Sequence, residues 1–479
     1  MTNITSANTA SLILTNVAAL VTCDSTGTVH RNVDLVCKGG IVAAIHAAGT
    51  PYPRSADATV IDASKYFVYP GLVNTHHHFF QAFVRNQLGL DWSQLSLVEW
   101  LRRIYPIFSL IDEDCIFHTS MIAMAELIKH GCTTAFDHQY CYNRHAGKHL
   151  IDRQFEAAEI CGMRFVAGRG TNTLPAVNGS TMPDAMVETT KEYLQDCERL
   201  IKHYHDPKPL SMRSIVLAPC QPINCHQETF TASLNLARDY SLGVHTHLCE
   251  GENALMLERH GLRSLDWCET IGFTGSDIWI AHGWELTRDE MFRLAQMEIG
   301  LSHCPAPMCL VGDGITDLAA AWAAEVRVGL GVDGYASNDN SNLLDCIRLA
   351  YMLQCLVANK RADPMPPPRE FLHYATRGGA SLLQRPRLGS LGVGQAADFF
   401  AIDSTSIEMV GATHDPELLL VKLGYGREVD LTVINGRVVW TSAAGFTRFD
   451  EREAAVAADK VFRNIIYNSP PLETLRKAS

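Results

Sequence analysis

Between about Phe67 and Leu388 short apolar runs alternate with longer amphipathic ones, the signature of repeated strand-helix units. The runs Phe67–Thr75, Thr133–Asp137, Met163–Ala167, Ser214–Ala218, Leu242–Thr246, Asp277–Ala281, Glu298–Ser302 and Val326–Val332 read as eight strands. Eight strands with helices between them predict an α/β protein with a (β/α)8 TIM-like barrel. One intervening stretch shows why its neighbours are read as helices. Asp112-Glu-Asp114 puts acid at its start, Lys129-His130 puts base at its end, and Gly131 follows as a stop.

Outside this region the pattern changes. Ser11–Cys23 and Val33–His46 are short, rich in β-branched residues, and Gly39-Gly40 marks a hairpin. The same texture returns in Ala397–Ile402 and Val429–Trp440, where Asn435-Gly436 marks another turn. We read these as two halves of one small β-sandwich made by both chain ends; two unrelated β-rich extensions are the alternative. The organisation expected is 1–66 and 389–445 as the sandwich halves, 67–388 as the catalytic barrel, and 446–479 as a helical extension.

Composition narrows the class. The 479 residues exceed what one core usually holds, and 47% hydrophobic with 19% charged residues is globular composition. A net charge of -12 and a pI near 5.9 argue against a nucleic-acid or anionic-membrane binder. Fifteen cysteines without a Cys-x-x-Cys pair suit buried thiols in a reducing cytoplasm. Leu12–Val21 lacks the basic flank of a signal peptide, and no apolar run reaches membrane-spanning length.

The chemistry lies where the strands end. His76 and His78 close the first predicted strand two residues apart, so their imidazoles share one face while His77 points away. A single His-x-His is weak evidence for a metal. However, His138, His245, His247, His282, His303 and Asp333 also fall at the ends of predicted strands, and a barrel of this kind gathers function at that face. Imidazole nitrogen is a favoured ligand for zinc and related ions.

These residues carry a resemblance. Pro-Gly-Leu-Val-Asn-Thr-His-His-His at 70–78, His-Thr-His-Leu-Cys-Glu at 245–250, Ala-His-Gly at 281–283, His-Cys-Pro at 303–305 and Gly-Val-Asp-Gly-Tyr-Ala-Ser-Asn at 331–338 resemble the amidohydrolase superfamily, in particular its aminohydrolase branch. With the split sandwich, the likeness covers nearly the whole chain. It implies a hydrolase of carbon-nitrogen bonds in cyclic amidines, with His76, His78, His247 and Asp333 holding one divalent ion, zinc or iron. Glu250, His282 and Asp333 would handle protons. Binuclear relatives carry a carboxylated lysine on strand four, whereas this chain has Val216-Leu-Ala-Pro-Cys220, so one metal is expected.

The substrate implied is a small N-heterocycle. Thr75–Asn86, Met124–Tyr140 and His303–Pro307 resemble the triazine-acting members of the branch, which points to a hydroxyatrazine-type s-triazine giving N-isopropylammelide and ethylamine. An 8-oxoguanine, guanine or pterin deaminase releasing ammonia is the alternative. Ala306 and Pro307 stand where many purine deaminases carry Ser and Asn, and neither offers a side-chain hydrogen bond. Gln81 is placed to meet a ring edge or else solvent. Trp92 and Trp100 would form an apolar wall or pack in the core, and Arg169 would meet a ring carbonyl or pair with a loop carboxylate. His138 and His303 complete the candidate substrate contacts. A non-catalytic scaffold should have lost these ligands, and they are all present. The resemblance also implies a homo-oligomer, a dimer, for which helical surfaces such as Arg452–Ile466 are available.

Overall fold

The computed structural model describes residues 11–86, 95–143, 146–310, 314–361 and 364–467. Eight parallel strands close into a barrel: Leu72–Asn74, Cys132–Gln139, Arg164–Thr171, Arg213–Pro219, Val244–Leu248, Ile278–His282, Gly300–His303 and Val328–Leu330, with the last paired back onto the first. Helices cover the outside, and strands buried on both faces explain the near-continuous apolar runs in the sequence. Inside, Val73, Phe136, Val166, Val216 and Trp279 pack on Leu382, Leu383 and Leu388, so the barrel is a filled core with a floor beneath its mouth. The helix Glu113–Lys129 begins as expected. Asp112 caps it by accepting from Cys115 N–H at 2.7 Å, and Gly131 leaves it at φ 77°.

Two sheets form the sandwich. One has the order Ile41–Ala47, Val33–Lys38, Ser11–Val17, Thr59–Asp62. The other joins Gly445–Phe446, Arg437–Thr441, Leu431–Ile434 and Phe399–Asp403 to Tyr66–Pro70, Ala19–Val21 and Val29–His30, so both chain ends share a sheet. Leu14, Leu35, Val42, Val68, Phe399 and Val433 fill the space between. Both expected hairpins form, at Gly39-Gly40 and at Asn435-Gly436.

Two of the apolar runs are each divided between sheets. Phe67–Thr75 belongs to the sandwich up to Pro70 and to the barrel from Leu72. Gly71 makes the change possible, because a Cβ there would collide with the Thr133 side chain. Ser11–Cys23 likewise crosses from one sheet to the other after Val17, near Asn16 at φ 57°.

Sandwich and barrel are pinned by a buried ion pair. Arg164, at the start of the third barrel strand, donates from Nε to Asp398 Oδ2 at 2.8 Å and from its second amino group to Oδ1 at 3.0 Å. Asp398 Oδ1 also accepts from Asn435 N–H at 2.7 Å. Breaking one side of such a buried pair costs about 3–5 kcal/mol, because the remaining charge is left desolvated. The last described element is the helix Glu451–Tyr467, which lays Val461, Phe462 and Ile465 against the main core. All cysteines but Cys309 and Cys355 are buried, and all are free thiols. No described helix is long and apolar enough to cross a membrane.

Candidate metal centre and active site

The cluster begins with a stitch between the first and last barrel strands. Asn74 Oδ1 accepts from Val332 N–H at 2.9 Å, and Asn74 Nδ2 donates to the His76 carbonyl at 3.2 Å, which also accepts from Asp333 N–H at 3.1 Å. This brings Asp333 Oδ1 to 3.2 Å from both His76 Nε2 and His78 Nε2. His77 points away as the strand period requires, with its Nε2 2.6 Å from Ser341 Oγ. Asp333 and His282 sit in the left-handed region, at φ 64° and 77°, where non-glycine residues persist only when their surroundings hold them.

Two imidazoles are oriented by the main chain. His78 Nδ1 donates to the His138 carbonyl at 2.9 Å, and His247 Nδ1 donates to the Cys220 carbonyl at 2.8 Å. A neutral imidazole with its proton on Nδ1 has a lone pair on Nε2. Burial keeps both rings neutral by pushing their pKa values down. The two Nε2 atoms nevertheless lie 3.1 Å apart, beside a carboxylate oxygen and without a proton between them. Such acceptors repel each other unless a cation lies among them. Ligand atoms around a tetrahedral zinc with bonds of 2.0–2.1 Å would be about 3.3 Å apart. His76, His78 and His247 all offer nitrogens within 4.8 Å of one another, so the donor set fits a divalent ion.

The proton-handling candidates adjoin this set. Strand register pairs His282 with Leu248, one residue past His247, and the two imidazoles stack at 5.4 Å. His282 Nε2 lies 3.3 Å from Glu250 Oε1, and burial pushes the imidazole down to about 3. Burial also pushes Glu250 well above the ordinary carboxyl range, with the charges of Asp333, Glu252 and Glu285 adding to it. Burial acts on Asp333 in the same upward direction, but the hydrogen bond it accepts from Gly334 N–H at 2.7 Å favours the ionised form, and the net shift of that carboxyl is downward. The surroundings thus favour the protonated form of one acid and the ionised form of the other, the division that acid-base chemistry requires.

Glu252 and Glu285 were not marked by sequence spacing. Glu252 accepts from the N–H groups of Cys249 and Glu250 at 2.6 and 2.7 Å, and Glu285 accepts from those of Gly251 and Asn253 at 2.9 and 3.1 Å. Trp284 Nε1 donates to the Glu250 carbonyl at 2.7 Å. The loop carrying Glu250 is therefore fixed through its backbone.

The cluster is met by two small pockets, lobes that share three lining residues. One lobe is lined by His78, Gln81, Tyr105, Tyr140, Gln221 and Asp333, the other by Leu97, His282, Trp284, Pro307 and Met308, and Trp100, Glu250 and Ser337 belong to both. Gln81 accepts from Ala336 N–H at 3.0 Å, and Gly334 must be glycine because a Cβ would strike that amide. Trp100 is a wall residue, while Trp92 lies outside the described residues. His138 donates from Nε2 to the Ala218 carbonyl at 2.8 Å and stacks on His247. His303 is fully buried with both ring nitrogens unpartnered, and burial together with His282 pushes it down to about 3. Arg169 takes the second of its two expected uses. It pairs with Glu188 and Asp196 at 2.7 and 2.8 Å, lies over the Tyr142 ring, and lines neither lobe. A larger cavity of about 1060 Å³ lies at the opposite end of the barrel, around Arg327, His373 and Arg377, and none of the clustered histidines lines it.

Comparison with known proteins supports the motif reading. The Amidohydrolase family matches residues 67–439. Hydroxydechloroatrazine ethylaminohydrolase of Pseudomonas sp. (strain ADP) is 54% identical over 469 residues, 96% of this chain and 97% of the relative. The 8-oxoguanine deaminase of Pseudomonas aeruginosa is 35% identical over 387 residues, 80% and 84% of the two chains. Among solved structures, atrazine chlorohydrolase from Arthrobacter aurescens, complexed with zinc, superposes with a TM-score of 0.86 at 28% identity, covering 94% of this chain and all of that one. By a family match over most of its length and a relative this similar end to end, the chain belongs to the amidohydrolase family.

Proposed function

We propose that the chain is a metal-dependent aminohydrolase that removes an exocyclic alkylamino group from a hydroxyatrazine-type s-triazine, releasing ethylamine. One divalent ion, zinc, would be held by His76, His78, His247 and Asp333. The observation that carries this reading is the approach of His78 Nε2, His247 Nε2 and Asp333 Oδ1 to within 3.1–3.2 Å of one another or of a shared neighbour, with Glu250 close by. A divalent ion supplies Lewis acidity and lowers the pKa of water towards neutrality. The fourth barrel strand, Arg213–Pro219, has no lysine of the kind binuclear relatives carry, which favours one ion over two.

The residues divide the remaining work. Asp333, ionised, takes a proton from the attacking water. As the new carbon-oxygen bond forms, Glu250 gives its proton to the ring nitrogen beside the attacked carbon. His282 Nε2 faces the developing oxygen charge. Asp333 then passes its proton to the exocyclic nitrogen as the carbon-nitrogen bond breaks and the amine leaves, and the proton of the added hydroxyl goes to Glu250 as the carbonyl forms.

The cavity and the relatives support the alkylamino substrate. Leu97, Trp284, Pro307 and Met308 offer an alkyl chain an apolar surface beside Glu250 and His282, while Gln81 and Gln221 offer hydrogen bonds to a ring. The 54% relative is named for removing ethylamine. A second reading, deamination of 8-oxoguanine, is favoured by the 35% relative. The test is the specificity constant for ethylamine release from hydroxyatrazine beside ammonia release from 8-oxoguanine, guanine and isoxanthopterin. We expect the triazine to lead by about tenfold or more. A lead for any of the three deamination substrates would replace the proposal.

A further inference from the structure

The tautomers of His78 and His247 are set by backbone carbonyls, which no side-chain substitution removes. His76 is held differently. Its Nδ1 lies 2.9 Å from His245 Nε2, and His245 Nδ1 lies 3.0 Å from the Trp279 carbonyl oxygen. A carbonyl only accepts, so the proton of a neutral His245 is on Nδ1 and its Nε2 carries a lone pair. His76 Nδ1 must then be the donor between the two rings. That leaves His76 Nε2 bare, fully buried, without a hydrogen-bond partner, and 3.2 Å from Asp333 Oδ1.

We propose that His245 is a positioning residue, the side-chain relay through which the Trp279 carbonyl sets the tautomer and direction of His76 towards a divalent ion. This rests on the reading of the histidine cluster as a metal site. It gives the His-x-His pair of strand five two separate duties on one face: His247 contributes to the cluster, and His245 orients another member of it. The rings of Phe136 and Trp279, at 4.8 and 4.9 Å, hold His245 in place. Partners of metal-ligating histidines that fix the second nitrogen are worth about 10–100-fold in metal affinity.

The test compares metal-free parent, His245→Phe, His245→Leu and His245→Gln proteins by zinc affinity in chelator competition, together with thermal melting of each metal-free form. Phe and Leu fill the space without an acceptor, whereas the Gln oxygen can reach the position of His245 Nε2. We expect Phe and Leu to weaken zinc binding about 10–100-fold without lowering the metal-free melting temperature, and Gln to restore affinity to within about threefold. If Phe does not fold, Leu against Gln decides the same question. Parent-like affinity in Phe or Leu would overturn the relay, and so would Gln binding as weakly as Leu, which would make the effect one of packing. Two zinc ions per parent chain falling to one in Leu would make His245 a ligand and overturn the proposal. A parent that binds no zinc would defeat the metal-site reading itself, an outcome separate from parent binding that His245 variants leave unchanged.

Discussion

Replacing Glu250 with glutamine is expected to lower turnover by about 10²–10⁴-fold, the usual contribution of a positioned acid or base. Metal content should stay at the parent value. Glutamine keeps the size and hydrogen-bonding shape of the side chain and loses only its transferable proton. The loop should hold, because the bonds that fix it run through the N–H groups of Cys249, Glu250 and Gly251 and through the Glu250 carbonyl. The environment favours the acid role. Burial, then the charges of Asp333, Glu252 and Glu285, raise the carboxyl, so the protonated form persists above the pH at which an exposed glutamate ionises. Measuring kcat and metal per chain on the same preparation separates the possibilities. Near-normal turnover with metal retained would remove Glu250 from the chemistry.

Asp333→Asn should be the second severe loss, because this carboxylate serves both the ion and the proton transfer. It lies 3.2 Å from two imidazole nitrogens, and against the effect of burial the Gly334 N–H favours its ionised form. An asparagine oxygen can still accept from Gly334 N–H, as Asp333 Oδ1 now does at 2.7 Å, so the local fold should survive. What disappears is the negative charge and the base. Loss of the base alone is expected to lower turnover by about 10²–10⁴-fold, with weaker zinc binding in addition. Turnover and chelator competition on the variant check both. Parent-like values in either would show that another group performs that duty.

The barrel was legible because its strands are short, buried and apolar, while their helices carry charge at their ends, as Asp112 and Lys129 do. The same principle explains why Phe67–Thr75 reads as one strand. A sandwich strand and a barrel strand are equally buried, so hydrophobicity does not mark where Phe67–Thr75 changes sheets, and Gly71 is the local signal. The cluster was legible because strand period and strand ends place His76, His78, His247, His282 and Asp333 at one mouth. Its support was less so. Glu285 acts on a loop more than thirty residues away in sequence, and His245 meets His76 across 169 residues, separations that no local pattern encodes. Arg169 shows the converse: its place at a strand end suggested a ligand contact, but Glu188 and Asp196 engage it first.

The most direct measurement is a zinc titration of metal-free protein while ethylamine release from hydroxyatrazine is followed. Activity should rise from near zero in proportion to added metal and level off at one equivalent per chain. Activity undiminished by metal removal, or rising until two equivalents are bound, would contradict a reaction built around one ion among His76, His78, His247 and Asp333.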